Sequence, residues 1–351
     1  MKRRVKMFLK ATGIAIVSFI AIVLIAHFIG RMINSRTPKG GINESMYVDI
    51  NGTKQWINIY GQSKDNPVLL YLHGGPGSAT STIDYAFTRK WSDVYTVVTW
   101  DQRGCGKSYA SSKTDTITAD LMMQDGKEMT EFLLGYMDKE RITLLGHSWG
   151  SLYGANLALK YPEYYEAFIG AGQFIDPMEN EKRLYEAAQK WSNGDEEGKA
   201  ILAKWSPDNE YSMEALNARN ATMERYGYGM MKDGTDYNTF TTVLFNPNYT
   251  IKDYIGYLRK GSKGFKPYLA FWENELSKLS LLGRYDYKVP YYNINGDMDY
   301  QTNFELASEY FDAVNAPQKE MFVMKNATHG LLESRSKEFS EMVHKIAETQ
   351  K

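Results

Sequence analysis

The feature that most constrains the fold of this 351-residue chain is the pentad Gly146-His147-Ser148-Trp149-Gly150. It lies between the apolar run Arg141-Ile142-Thr143-Leu144-Leu145 and a helical stretch from Ser151 to Tyr161. Strand, G-x-S-x-G and helix in that order are what a nucleophile elbow requires. A sharp turn must lift the serine hydroxyl clear of a sheet, and flanking residues without side chains let strand and helix approach each other. Ser148 is therefore the candidate nucleophile.

A second loop, His73-Gly74-Gly75-Pro76-Gly77, follows the apolar run Val68-Leu69-Leu70-Tyr71-Leu72. Glycines at the end of a strand let backbone N–H groups point at a developing oxyanion, and each such donor typically supplies about 2.7–4 kcal/mol. The N–H groups of Gly75 and Trp149 are assigned to this hole; the plainer reading is a strand-to-helix turn. A third loop, Asp101-Gln102-Arg103-Gly104-Cys105-Gly106-Lys107-Ser108, follows Tyr95 to Trp100. Its tail looks like a phosphate loop, but Asp101 stands where the first glycine of that motif belongs and would repel phosphates, so nucleotide binding is not expected. Asp101 and Arg103 are instead expected to brace the oxyanion loop.

The general base is found by elimination among five histidines. His27 lies in an apolar N-terminal run, His73 in the oxyanion loop, and His344 on a terminal amphipathic helix. His147 adjoins the nucleophile, with its side chain expected to turn elsewhere. His329 remains, in Asn326-Ala327-Thr328-His329-Gly330 after the strand-like Glu320 to Met324. That is the slot for the last member of a Ser, acid, His order. The strand-like Pro290 to Asn295 is followed by Gly296-Asp297-Met298-Asp299. Both aspartates stay open as the acid, because a two-residue step along an extended chain keeps them on one side. With no H-x-x-x-H spacing and a single cysteine, no catalytic metal is expected, and no cofactor is implied.

HGGPG, DQRGCGKS and GHSWGS, in this order and spacing, resemble the proline iminopeptidase branch (serine peptidase S33) of the α/β-hydrolases, from about Met46 to the C-terminus. The resemblance implies an α/β-hydrolase fold, a mostly parallel sheet flanked by helices with an inserted helical cap. It places the triad acid three residues after Gly296, on Asp299, which would orient His329. It also implies cap carboxylates that hold the substrate's α-amine, and Trp272-Glu273 resembles one such position, making Glu273 the first choice over Glu224 and Glu275. His147 stands where these relatives usually carry glycine.

The N-terminus is a separate unit. Lys2, Arg3, Arg4, Lys6 and Lys10 precede the apolar stretch Ala11 to Gly30. About 20 residues at 1.5 Å each span a bilayer core of about 30 Å. The absence of an A-x-A-like site favours a signal anchor over a cleaved secretory signal. The excess of basic residues before the span, against Arg31, Arg36 and Lys39 after it, puts the N-terminus in the cytoplasm and the remainder outside.

The expected domains are 1–36, a basic tip and transmembrane anchor; 37–175 with 283–351, the hydrolase core; and 176–282, a helical cap rich in tryptophan and tyrosine. With 41 basic and 42 acidic residues and no basic patch, nucleic acid is excluded as a substrate. The expected activity is that of a membrane-anchored serine hydrolase using acyl-enzyme chemistry, most simply an aminopeptidase on short peptides. A carboxylesterase or lactonase on small acyl compounds, or a tethered binding protein without turnover, are the alternatives. An epoxide hydrolase or dehalogenase would need a carboxylate at Ser148. Oligomeric state is not legible.

Overall fold

A computed structural model describes residues 2–109, 116–208, 212–260 and 266–350. Eight strands form one sheet in the order β1-β2-β4-β3-β5-β6-β7-β8. The strands are β1 (Ile42–Ile50), β2 (Thr53–Gly61), β3 (Val68–Leu72), β4 (Thr96–Asp101), β5 (Ile142–His147), β6 (Tyr165–Ala171), β7 (Tyr291–Gly296) and β8 (Lys319–Met324). β1 and β2 pair antiparallel, as do β2 and β4, while every pairing from β4 through β8 is parallel. The inner parallel strands β3 to β6 are short, largely apolar and buried, the pattern of a sheet covered on both faces, while the edge strand β8 is exposed at its start.

The period of two divides these residues between the faces. Leu70, Leu72, Leu144 and Phe168 join one core cluster, and Leu69, Tyr71, Leu145 and Ile169 the other. Helices Ala119–Met137 and Trp149–Lys160 contribute to the first cluster, and Ser336–Thr349 closes the second.

The hairpin β1–β2 is absent from the sequence-based expectations. Its turn is Asn51-Gly52, both at positive φ (43° and 73°), which is the short hairpin connection that Asn-Gly favours.

Between β6 and β7 the chain forms helices Pro177–Trp191, Glu196–Leu202, Met213–Arg225, Thr239–Leu244, Ile251–Lys260 and Lys266–Asn274. Four of them start where a polar side chain accepts a first-turn N–H: Asp176 from Glu179, Asp195 from Gly198, Ser212 from Ala215 and Asn238 from Thr241. Leu184, Ala188, Leu202, Trp205, Ala215, Ala218 and Met223 form a third cluster of their own. At the N-terminus, Lys2–Asn34 is one helix, long and apolar enough to cross a membrane, a test that a signal sequence passes equally.

Candidate active site

Parallel strands deliver their loops to one edge of a sheet, and the sites of open α/β sheets form there. β3 leads into His73–Gly77, β5 into Ser148, β6 into Gly172, β7 into Asp299 and β8 into His329. Gly74, Gly75, His147, Ser148, Thr302 and His329 line one cavity of about 570 Å³.

Ser148 sits at φ 57°, ψ −123°, a conformation that costs a non-glycine residue about 1–3 kcal/mol and persists only where the surroundings impose it. They do so through backbone contacts. Ser148 N–H donates to Ala171 O at 2.9 Å, and the Ser148 carbonyl accepts from Ser151 N–H at 2.8 Å. A Cβ on Gly146 would fall 2.0 Å from Gly150 O, and one on Gly150 would fall 2.0 Å from Leu72 O. Both flanking positions of the pentad therefore exclude any side chain. Trp149 opens its helix, so its N–H has no acceptor one turn back.

His329 Nδ1–H donates to Asp299 Oδ2 at 2.7 Å, and both side chains are buried. Asp299 Oδ1 accepts from the N–H of Thr302 at 3.0 Å, and the Thr302 hydroxyl lies 3.0 Å from Oδ2 and 3.2 Å from His329 Nδ1. Asp297 is directed elsewhere: its Oδ1 accepts from Asn326 N–H at 2.7 Å and its Oδ2 lies 3.5 Å from Lys325 Nζ. The two aspartates part because β7 ends at Gly296 and the chain turns there, so the extended-chain argument that kept both open does not apply.

His147 corrects an expectation. Its ring does not turn away; it stacks on His329 with centroids 4.8 Å apart and donates from Nε2 to His329 O at 3.0 Å. Burial, with His329 beside it, pushes its pKa down to about 3, so it is a neutral imidazole with an unprotonated Nδ1. His73 is likewise neutral, its pKa lowered to about 4 by burial. Its Nδ1–H donates to Gly74 O at 2.7 Å while its Nε2 accepts from Gln102 N–H at 3.3 Å.

The bracing of the His73–Gly77 loop also differs from expectation. Arg103 turns to the buried Asp125 (2.6 and 2.8 Å) and to the β1–β2 turn. Gln102 makes the contact instead: Nε2 donates to His73 O at 3.3 Å, and Oε1 accepts from Trp149 Nε1 at 2.8 Å. One amide thus joins the loops that carry Gly75 and Trp149. Asp101 acts one step further along, accepting from Ser81 Oγ at 3.0 Å and Lys107 N–H at 2.7 Å. Gln102 and Thr302 carry no sequence-based expectation, although Gln102 lies inside a quoted motif.

Glu273 is exposed and does not line the cavity; its carboxylate meets only its neighbour Asn274, at 3.5 Å, among the described residues. Glu275 also lies outside, accepting from Ala119 N–H at 3.0 Å and pairing with Lys278 at 2.6 Å. The preceding residue, Trp272, does line the cavity, so the correction is one of direction: successive residues of helix Lys266–Asn274 face different ways. The cavity's carboxylates are Glu181, Glu224 and Glu333. Glu181 is matched by Arg219, whose Nε lies 2.7 Å from Oε2 and whose Nη1 donates to Gln301 Oε1 at 2.7 Å. Glu333 is buried close to His329, and burial pushes its carboxyl above the usual range. Glu224 has no side-chain hydrogen bond or ion pair among the described residues. Among the described residues, no cluster of His, Cys, Asp or Glu fits a metal ion.

This combination of parallel sheet, elbow serine and Asp–His pair defines a class. A model of the alpha/beta hydrolase fold matches residues 67–335, and the chain belongs to that family, a family of hydrolases. It is similar to a probable aminopeptidase, YbaC, of Bacillus subtilis (strain 168), 27% identical over 292 residues that cover 80% of this chain and 89% of that protein. The solved proline iminopeptidase of Mycobacterium smegmatis superposes with a TM-score of 0.61 at 19% identity, covering 88% of this chain and 98% of the other. A solved membrane phospholipase A superposes with a TM-score of 0.63 at 14% identity, covering 100% and 99%. At such identities the two structures show a shared fold.

Proposed function

We propose that the chain is a membrane-anchored serine hydrolase that releases N-terminal residues from short peptides by acyl-enzyme chemistry. The observation that carries this reading is the 2.7 Å Asp299–His329 hydrogen bond, set in the same cavity as an elbow serine. Ser148 Oγ attacks the acyl carbon while His329 takes its proton, and the imidazolium that forms is stabilised by Asp299. The N–H groups of Gly75 and Trp149 receive the oxyanion, held at a common spacing by Gln102. His329 then returns the proton to the leaving amine, and water repeats the sequence to free the acid.

Residues 176–282 act as a cap over this pocket. An N-terminal ammonium entering beneath it needs a counter-charge, because an unpaired cation is costly once desolvated. Glu181 already serves Arg219, which leaves Glu224 as the cap carboxylate for the substrate. Phe174, Leu216, Met223, Met230 and Met231 give the same cavity an apolar wall suited to an uncharged acyl side chain. That wall also favours the second reading, an esterase on small acyl compounds. Ala11 to Gly30 keeps the enzyme at the membrane, with the catalytic part on the outer side.

A panel of aminoacyl-arylamides, their N-acetylated counterparts and short acyl esters tests the proposal on the full-length protein. Free-amine substrates are expected to be preferred at least about tenfold in kcat/KM over acetylated ones, equivalent to about 1.4 kcal/mol. Equal or faster cleavage of acetylated substrates or esters selects the esterase reading, and no turnover at all selects a binding protein.

A further inference from the structure

The N-terminal helix does not stand free of the rest of the chain. His27 Nδ1–H donates to Leu244 O at 2.6 Å, Arg31 Nε to Pro247 O at 3.0 Å and Asn34 Nδ2 to Phe245 O at 2.9 Å. Between them, Gly30 faces the ring of Phe245 so closely that a Cβ would fall 2.2 Å from Cδ1. The ring of Tyr254 meets that of His27 edge-on at 6.0 Å. Helices Thr239–Leu244 and Ile251–Lys260 are therefore held against the last turns of the apolar helix.

That contact sets their height. His27 lies three residues inside the apolar stretch that ends at Gly30, so at 1.5 Å per residue the groups touching it sit about 4–5 Å below its outer end. The same two helices expose large apolar side chains. Phe240 is 69% and Leu258 78% exposed, and Ile251, Ile255 and Leu258 recur at i, i+4 and i+7 as one stripe. Lys252 and Arg259 flank the stripe, with Arg31 and Arg36 at the foot of the helix, while the nearby Asp253 is engaged by Lys107 at 3.6 Å. An amphipathic helix with cations beside its apolar face is suited to the boundary between acyl chains and headgroups, where such faces bury about 5–10 Å deep.

We propose that Phe240 and the Ile251-Ile255-Leu258 stripe dip into an anionic bilayer next to the anchor, so that the catalytic unit rests on the membrane in a fixed orientation. The inference depends on the anchor assignment above. Its consequence reaches the active site: Asn246 Nδ2, between these helices, donates to Ser81 O and Thr82 O at 2.9 Å each, just beyond the oxyanion loop.

The experiment uses full-length protein in nanodiscs containing phosphatidylglycerol, carrying one environment-sensitive fluorophore at a time on an introduced cysteine; the native Cys105 is buried. The sites are Phe240→Cys, Leu258→Cys, Phe19→Cys in the anchor and Lys337→Cys, an exposed position on the C-terminal helix. Nitroxide-labelled lipid is expected to quench positions 240 and 258 at least about twofold more than position 337, with weaker quenching when phosphatidylcholine replaces phosphatidylglycerol. Strong quenching at position 19 with values at 240 and 258 equal to that at 337 overturns the surface proposal and leaves the anchor standing. Absence of quenching at position 19 overturns both, and quenching indifferent to lipid charge removes the anionic preference.

Discussion

The two walls of the Ser148 cavity govern charge in different ways. On the sheet side, burial decides: His73 and His147 are forced neutral, Glu333 is pushed toward its protonated form, and Asp299 is held by His329 and by the N–H and hydroxyl of Thr302. On the side of residues 176–282, pairing decides: Arg219 satisfies Glu181, and Glu224 is left over. A role on the sheet side follows from backbone position, since each strand end presents one residue to the edge. A role on the other side follows from which partner a charge has already found, and no local spacing encodes that.

The comparison breaks most sharply at Ser148. Ser148→Ala is expected to lower kcat by about 10⁶-fold, as for nucleophile loss in other triads, and to abolish fluorophosphonate labelling. Labelling that persists in the variant sinks the assignment. Next, Asp299→Asn is expected to cost about 10⁴-fold in kcat because it releases the His329 tautomer, whereas Asp297→Asn, whose side chain meets the Lys325–Asn326 turn, stays within a few-fold. A reversed ranking in steady-state kinetics would show that the Asp299–His329 bond is not the catalytic one.

That pair of variants also marks how far the sequence could be read. The slots proposed for Ser148 and His329 are legible because motif, strand and order coincide, and the parallel core because most of its strands are short apolar runs. Choosing between Asp297 and Asp299 took the family resemblance, since the turn after Gly296 cannot be inferred from residue type alone. The β1–β2 hairpin is marked in the sequence by Asn51-Gly52 alone, between strands whose apolar pattern is weak. Gln102 and Thr302 left no signal of their own, because a hydrogen bond across loops depends on how the strands are ordered. His147 was misread because elimination treats neighbouring histidines as rivals, whereas here one ring supports the other. Glu273 was misplaced because a helix turns about 100° per residue, so a neighbour of Trp272 points away from the cavity that Trp272 lines.

Burial on the sheet side has a pH signature. The folded pKa of His147, about 3, lies below its ordinary value of 6.5, so the unfolded chain takes up the proton first as pH falls. The stability present above pH 6.5 is lost progressively toward pH 3, at roughly 1.4 kcal/mol per pH unit for this one ring. Relative to wild type, His147→Gln is expected to gain about 2 kcal/mol between pH 7 and pH 5, read from urea unfolding midpoints at the two values. A gap independent of pH would mean that His147 takes up its proton at the same pH in the folded and unfolded chain, which the buried neutral stack on His329 does not allow.

The smallest effect tests the other wall. If pairing governs there, removing the leftover charge should weaken only substrates that carry a partner for it. Glu224→Gln is expected to reduce kcat/KM for free-amine arylamides about tenfold while leaving N-acetylated substrates and small esters within a factor of about two, since those never supplied an ammonium. Glu273→Gln, exposed and outside the cavity, is expected to change neither. Equal losses on both substrate types would indicate that Glu224 shapes the pocket rather than binding charge, and a selective loss in Glu273→Gln would require the helix Lys266–Asn274 to rotate when substrate binds. Either outcome separates the recognition of the amine from the Ser148, His329 and Asp299 chemistry, because both variants keep the acyl-transfer side of the cavity intact.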